Sequence, residues 1–170
     1  MLRILGAVLI VGCSTLLGVG VSSRSRQRIR ALRSLLESLP RLKAELEGLL
    51  TPLPTLLALL TREAAQPASE LYGAAALKME KKALSFRAAW EQAVEETEAL
   101  CLLPEELRAL RALGAVLGRS DAATQAAAVD RTVKQLSLFL ELEEKDRTGK
   151  NRVHAALGAG AGVMLALLLL

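Results

Sequence analysis

The side chains that most often carry catalysis or bind metals are scarce in this 170-residue sequence. It contains one histidine, His154, and two cysteines, Cys13 and Cys101, which stand far apart along the chain. A nucleophile needs a neighbouring base and a zinc site needs several Cys or His ligands, so neither chemistry has its residues here. A glycine-rich phosphate loop and an HExxH motif are also absent. We therefore expect no catalytic residue, no cofactor, no metal and no small-molecule substrate.

Carboxylates, which are also capable of acid–base chemistry, are plentiful, and two clusters of them are notable. These are Glu95, Glu96 and Glu98, and Glu141, Glu143 and Glu144. Acidic clusters on helices are usually solvated, so we interpret both as surface charge. Cys101 stands alone and is expected to be a buried, reduced thiol.

The composition predicts which elements carry these residues. Hydrophobic residues make up 52% of the chain, charged residues 24% and aromatic residues only 2%. Leucine and alanine dominate, and both favour helices, whereas the residues that favour strands are few. The predicted fold class is all-α, which excludes a β-rich fold and a disulfide scaffold.

Two apolar runs lie at the ends of the chain. Residues 4–21 and 153–170 are each eighteen residues without a charge apart from His154. As helices they would each extend about 27 Å, close to the hydrocarbon thickness of a bilayer. The sequence therefore predicts an N-terminal transmembrane anchor over 1–23, a helical domain over 24–152 and a C-terminal transmembrane helix over 153–170.

A lipoprotein signal is the alternative interpretation of the first run. Residues 10–13 resemble a lipoprotein box in which Cys13 would carry the lipid. However, the apolar run continues past Cys13 to Val21, whereas a cleaved signal gives way to polar sequence. The anchor is therefore preferred, and a lipid-anchored extracytoplasmic protein stays the alternative.

Basic residues flank the inner side of both runs. They are Arg24, Arg26, Arg28, Arg30 and Arg33 after the first run, and Lys145, Arg147, Lys150 and Arg152 before the second. Lys and Arg beside a span stay on the cytoplasmic side, so the central domain is expected in the cytoplasm and both termini across the membrane. Nucleic-acid binding is not favoured, since no aromatic stacking residues accompany the clusters. The expected partner is the anionic surface of the lipid bilayer.

Steps of three and four between apolar residues predict the helices of the central domain. The first long stripe begins at Ile29, and Pro40 is expected to kink or split its helix near Leu39. Thr51 is expected to cap a second helix that starts at Pro52. A third helix is predicted from Ala68 to about Lys82.

Three further helices follow in the same domain. Ser85 is expected to cap a helix in which Phe86 and Trp90 are neighbours and Trp90 anchors the core. Pro104 begins the next helix, and Gly118 ends it. Ser120 and Asp121 are expected to cap the longest helix, which has a near-heptad apolar stripe from Ala126 to Leu140.

Small and polar residues around the last turn form the candidate partner-binding site. Gly114 and Gly118 are four residues apart, a spacing that would leave a groove for another backbone. Arg119, Asp121 and Gln125 add polar groups at the start of the next helix, and the N-terminal amides of that helix favour acidic ligands. The alternative is that the glycines only allow two helices of this domain to pack closely. In the C-terminal run, Gly158 and Gly162 have the spacing of a membrane-helix packing motif.

Several segments together resemble one known family over essentially the whole chain. They are the opening anchor LGAVLIVGCSTLLG, Thr51-Pro52-Leu53, the helix with Trp90, residues 110–121 (LRALGAVLGRSD) followed by Gln125, and the hydrophobic C-terminal tail. In these features the sequence resembles stage III sporulation protein AB of endospore-forming bacteria. Pro40 and the high alanine content depart from the family pattern.

The resemblance implies a non-enzymatic membrane scaffold on the mother-cell side of the outer forespore membrane. It would belong to the channel apparatus between mother cell and forespore. The family is similar to the inner-membrane platform proteins of type II secretion and type IV pilus systems, which couple a cytoplasmic ATPase to a membrane assembly. The implied partners are the sporulation ATPase of the same operon and the membrane subunits of the channel. A generic membrane-tethered adaptor in secretion or cell division is the alternative.

Overall fold

Six α-helices make up the computed structural model, and the part of the chain that it describes contains no strand. Side chains are described for residues 23–48, 51–81, 84–119 and 121–146, and the backbone also for 2–22, 82 and 147–169. The helices are α1 (Leu2–Gly48), α2 (Leu53–Glu63), α3 (Ala68–Lys82), α4 (Phe86–Glu96), α5 (Pro104–Val116) and α6 (Ala122–Leu169). A 3₁₀ turn, Glu98–Leu100, precedes α5. The predicted all-α class is confirmed.

Membrane-spanning helices were predicted at both ends of the chain. Within the residues open to this test, no helix has an apolar stretch long enough to cross a bilayer. The two predicted spans, 4–21 and 153–170, lie outside the residues whose side chains are described, and so do Gly158 and Gly162.

Helix α1 continues through Pro40, so of the kink or split expected near Leu39 the split does not occur. Proline removes one backbone donor from the helix. Its ring lies on the exposed side, while Leu39 and Leu42 on either side of it are fully buried. We attribute the continuity to this burial, which stabilises the helix by more than the missing hydrogen bond costs.

Helices α1 and α6 pack side by side in opposite directions. Lys43 Nζ lies 2.6 Å from Asp130 Oδ2, and Arg33 Nη2 lies 2.6 Å from Glu144 Oε1, so residue numbers rise along α1 as they fall along α6. Residues 23 and 146 therefore lie at the same end of the bundle. We call this the basic end, after Arg24, Arg30 and Lys145; the opposite end, with the α5–α6 turn at Gly118, is the turn end.

Most local start signals are confirmed. Helix α3 spans the predicted residues, Ser85 Oγ accepts a hydrogen bond from the Ala88 N–H at 3.5 Å, and α5 begins at Pro104. Thr51 is not the cap of α2: Pro52 occupies that position, and the Thr51 hydroxyl donates to Glu45 Oε2 at 3.2 Å. Asp121 immediately precedes α6, and Ser120 lies outside the described residues.

Trp90 is the centre of the core, as predicted. Its ring stacks on Phe86 with 5.7 Å between centroids and lies 6.1 Å from Tyr72. Its indole N–H donates to the carbonyl oxygen of Leu110 at 2.7 Å, which satisfies the polar atom inside the core. The indole therefore joins α3, α4 and α5.

Gly114 is needed because Trp90 occupies the space above it. A Cβ atom placed on Gly114 would lie 2.0 Å from Trp90 Cδ1, far inside van der Waals contact. We expect Gly114→Ala to lower the free energy of unfolding by about 1–3 kcal/mol or more, since the ring must shift within a packed core. Gly48→Ala is the matched control, because nothing lies within 4 Å of its added Cβ. Equal stabilities for the two variants in chemical denaturation would contradict this packing.

Tyr72 should make the free energy of unfolding decrease at alkaline pH. Its hydroxyl lies 2.8 Å from Ser38 Oγ, and burial raises the pKa of the phenol to about 12. The unfolded chain loses this proton near pH 10 while the folded chain keeps it, so stability present below pH 10 is lost as pH rises toward 12. We expect a fall of up to about 1.4 kcal/mol per pH unit in this window. Denaturation at pH 9–11.5 should show a shallower fall for Tyr72→Phe; parallel curves would contradict the assignment.

Candidate functional site

The α5–α6 turn is built from backbone hydrogen bonds and one glutamine side chain. Gly118 has φ +77°, a conformation that favours glycine. Its N–H donates to Gln125 Oε1 at 3.2 Å, and the N–H of Arg119 donates to the Val116 carbonyl at 3.3 Å. Gln125 therefore holds the turn against the first helical turn of α6.

The groove expected between Gly114 and Gly118 is filled by side chains of this protein. Gly114 lies buried under Trp90, and a Cβ on Gly118 would lie 2.7 Å from Leu53 Cδ1. Both glycines thus allow neighbouring elements to approach closely. This geometry favours the alternative that the glycines allow two elements of this domain to pack closely, and partner binding at Gly114 and the exposed Gly118 stays a prediction.

Exposed polar groups of the predicted site do come together on this turn. Arg119 and Asp121 are exposed, and Gln125 is half-buried beside them. Arg119 forms no ion pair with the described residues. The turn therefore presents a cation at the turn end of the bundle, which can attract an acidic surface of a partner. Its role in partner binding stays a prediction.

A buried ionic cluster lies at the basic end, where the sequence indicated only surface charge. Glu106 has a fully buried side chain, and it accepts hydrogen bonds from Arg28 Nη2 at 2.7 Å and from the Leu103 N–H at 2.7 Å. Arg28 also pairs through Nη1 with Glu143, whose Oε1 accepts from Ser25 Oγ at 2.7 Å. The cluster therefore joins α1, α5 and α6.

The neighbouring carboxylates favour the charged form of Arg28. Burial by itself lowers the pKa of Arg28, but the hydrogen bonds to Glu106 and the charges of Glu106 and Glu143 outweigh it and raise that pKa above its usual value. An arginine that stays charged can hold a buried carboxylate through bidentate geometry. The arrangement holds three helices together.

Two sequence signals were available for the cluster. Glu106 stands three residues after Leu103, the spacing at which a carboxylate reaches back to the N-cap amide. Arg28 precedes the buried Ile29 and Leu32 on α1. Neither signal indicates a partner 78 residues away, so the pairing required the fold.

The predicted burial of Cys101 was wrong, whereas the predicted exposure of Glu95 is confirmed. Cys101 is exposed, which contradicts the expected buried thiol: it ends the 3₁₀ turn before α5, with φ 47°, and is not part of a core-facing helix. Its Sγ donates to Gln27 Oε1 at 3.4 Å beside an open cleft of 390 Å³. Glu95 is exposed at the surface as expected and pairs with Arg111 at 3.2 Å. In the described part of the chain no three ligands are grouped as a metal site requires.

Removing the carboxylate of Glu106 should be costly. We expect Glu106→Ala to lower the free energy of unfolding by about 3–5 kcal/mol, since it breaks a buried pair and frees the Leu103 N–H. Glu105→Ala is the matched control on the same helical turn, because Glu105 is 69% exposed and its pair with Arg108 is 3.8 Å long. Thermal and urea unfolding of both variants measure the difference. A cost below about 1 kcal/mol for Glu106→Ala would show that the cluster is not a stabilising contact.

Comparison with known proteins identifies the same family along nearly the whole chain. The family profile of stage III sporulation protein AB matches residues 3–170. Stage III sporulation protein AB of Bacillus subtilis (strain 168) is 32% identical over 175 residues, which cover all of both chains. A solved structure of a stage III sporulation protein AB superposes with a TM-score of 0.65 at 29% identity, covering 72% of this chain and 98% of that one. The chain belongs to the stage III sporulation protein AB family.

Proposed function

We propose that this protein is a non-enzymatic membrane scaffold of the channel apparatus between mother cell and forespore. The observation that carries the proposal is the antiparallel pairing of α1 and α6. It brings residues 23 and 146 to the same end of the bundle. The two apolar runs of the sequence therefore leave from one side, as two anchors in a single membrane must.

Charge at the basic end supports the same orientation. Arg24, Arg26 and Arg30 are exposed there, and Lys145 is exposed on α6 beside them. Cations close to a membrane surface are attracted to anionic headgroups and stay on the cytoplasmic side. The central helices are therefore proposed to stand in the mother-cell cytoplasm with the basic end toward the outer forespore membrane.

The turn end then faces the cytoplasm, away from the membrane. Arg119, Asp121 and Gln125 lie there, and we propose that they contact the sporulation ATPase of the same operon. This assignment rests on the resemblance to platform proteins and on the exposed cation of Arg119. The membrane subunits of the channel would instead meet the apolar runs, where Gly158 and Gly162 are the proposed packing positions.

Stiffness is the property that a coupling scaffold needs, and the fold supplies it at both ends. At the basic end, Glu106 and Arg28 hold α5 against α1. Near the turn end, Trp90 joins α4 to α5 through its hydrogen bond to Leu110. A partner that binds the turn would therefore contact a tightly packed helical domain and not a flexible loop.

Charge reversal at the turn tests the docking proposal. We expect Arg119→Glu to abolish copurification of the operon's ATPase from sporulating cells and to block spore formation. Its melting temperature should stay unchanged, because Arg119 is exposed. Arg62→Glu, an exposed arginine of α2, is the control and should keep both functions. Normal sporulation and ATPase copurification with Arg119→Glu would contradict this site and favour a generic adaptor.

Membrane topology is tested separately by labelling single cysteines in a Cys13→Ser, Cys101→Ser background. A cysteine at Arg119 should react with a membrane-impermeant maleimide only after the mother-cell membrane is opened. A cysteine at Leu170 should be labelled from the opposite side of the outer forespore membrane. Labelling of both positions from one side would contradict the proposed orientation.

A further inference from the structure

An exposed stripe of α6 carries two leucines directly opposite its core-facing side. Leu138 is 56% exposed and Leu142 is 54% exposed, whereas Val129 and Leu136 are fully buried. At 100° per residue, Leu138 lies about 200° around the helix from Leu136, and Leu142 lies one turn further along. This side of a surface helix is normally polar, so the two leucines are out of place for a helix facing only water.

Basic residues continue the same stripe toward the turn end. Arg131 and Lys134 are exposed and lie within about 60° of each other around the helix. Neither forms an ion pair with a carboxylate of the described residues. Lys145, at the other end of the stripe, pairs with Glu141 at 2.7 Å. The outward face therefore combines an apolar pair with two unneutralised cations.

We infer that this stripe, comprising Arg131, Lys134, Leu138 and Leu142, is a docking site for an amphipathic helix of another protein. The partner helix would place apolar residues on the two leucines and acidic residues opposite Arg131 and Lys134. The inference does not depend on the proposed function, because the stripe lies along the side of α6 and not at the turn.

The dimensions of the stripe favour a helix as the occupant. From Arg131 to Leu142 the stripe extends about 16 Å along α6, or three helical turns. An extended side-by-side contact of this length with anchors one turn apart matches the helix-in-groove type of recognition.

Charge decides between the possible occupants. A second copy in parallel packing would bring Arg131 and Lys134 of one stripe against those of the other, which is repulsive. In antiparallel packing these cations would face Leu142 and Leu138 of the other copy, which leaves the leucines without apolar partners and the cations without acidic ones. A lipid surface is disfavoured because Leu142 precedes the apolar run at Val153 by eleven residues, about 16 Å of helix. An acidic amphipathic helix would both cover the two leucines with apolar residues and pair its carboxylates with the two cations.

Designed peptides test the chemistry on the full-length protein in detergent. The first probe is a helical 21-residue peptide with leucines along one stripe and glutamates beside them. A second peptide has lysine in place of every glutamate, and a third has serine in place of every leucine. We expect the first peptide to bind at least about tenfold more tightly than either control in fluorescence anisotropy, and added salt to weaken it.

Variants locate the binding on α6. Leu138→Ser with Leu142→Ser should weaken the acidic peptide about tenfold or more, and Arg131→Glu with Lys134→Glu should switch preference to the lysine peptide. Arg62→Glu with Arg87→Glu removes two equally exposed arginines on α2 and α4 and should change neither affinity by more than about twofold. All four positions of the stripe are exposed, so circular dichroism should show unchanged folding. Equal effects from both charge reversals would overturn the inference, since binding would then follow net charge alone.

Crosslinking in sporulating cells identifies the natural occupant. A photoreactive phenylalanine analogue at Leu138 should join the chain to a different protein, through a peptide whose helical pattern carries acidic residues. Reversing those acids to lysine should abolish the crosslink, and Arg131→Glu with Lys134→Glu should restore it. Crosslinks only to a second copy, only to lipid, or to nothing would overturn the assignment.

Discussion

The burial of one carboxylate constrains most of this structure. Glu106 has no solvent exposure, so its charge is tolerated only while Arg28 and the Leu103 N–H both reach it. These partners come from α1 and from the start of α5, and Glu143 of α6 shares the same arginine. Moving α1 away from α5 would leave the buried Glu106 without its arginine, whereas moving α6 would remove only the contact of Glu143, which is 17% exposed. The cluster therefore holds α1 against α5, and Glu143 adds α6 to the same arginine.

The other half of the bundle is held chiefly by apolar packing, since its ion pairs, such as Arg111 with Glu95, are exposed to solvent. Trp90 of α4 fits against α5 because Gly114 of α5 has no side chain. The indole N–H of Trp90 donates a hydrogen bond to the carbonyl oxygen of Leu110, which is also on α5. Apolar packing of this kind determines how α4 meets α5 but is less directional than an arginine–carboxylate pair. Helix α5 takes part both in the ionic cluster and in the packing of Trp90. Its first turn carries Glu106, and its last turns carry Gly114. In the proposed scaffold, α5 is thus the helix that connects the basic end of the bundle to the turn end.

Sequence reasoning succeeded where the signal is local and failed where it spans the fold. The bounds of α3, the cap at Ser85 and the start at Pro104 were predictable, because caps and proline act within one helical turn. The continuity of α1 through Pro40 was not, since it depends on leucines packing against helices that come later in the chain. The same holds for Arg28 with Glu106, and for the exposure of Cys101. Arg119 and Asp121 were correctly placed together on a turn, but the filling of the Gly114–Gly118 groove by Trp90 and Leu53 required the tertiary structure.

The outward stripe of α6 illustrates this limit and what it implies for the protein. The predicted near-heptad stripe from Ala126 to Leu140 includes Leu136 but neither Leu138 nor Leu142, and the sequence does not reveal whether another helix covers these two. Only the packing of α1 and α5 on one side of α6 leaves Leu138 and Leu142 in solvent. Helix α6 begins at Ala122, directly after the turn that carries Arg119, and runs without interruption through this stripe to the C-terminal run. If partners bind both proposed surfaces, the continuous helix would couple them without a conformational switch.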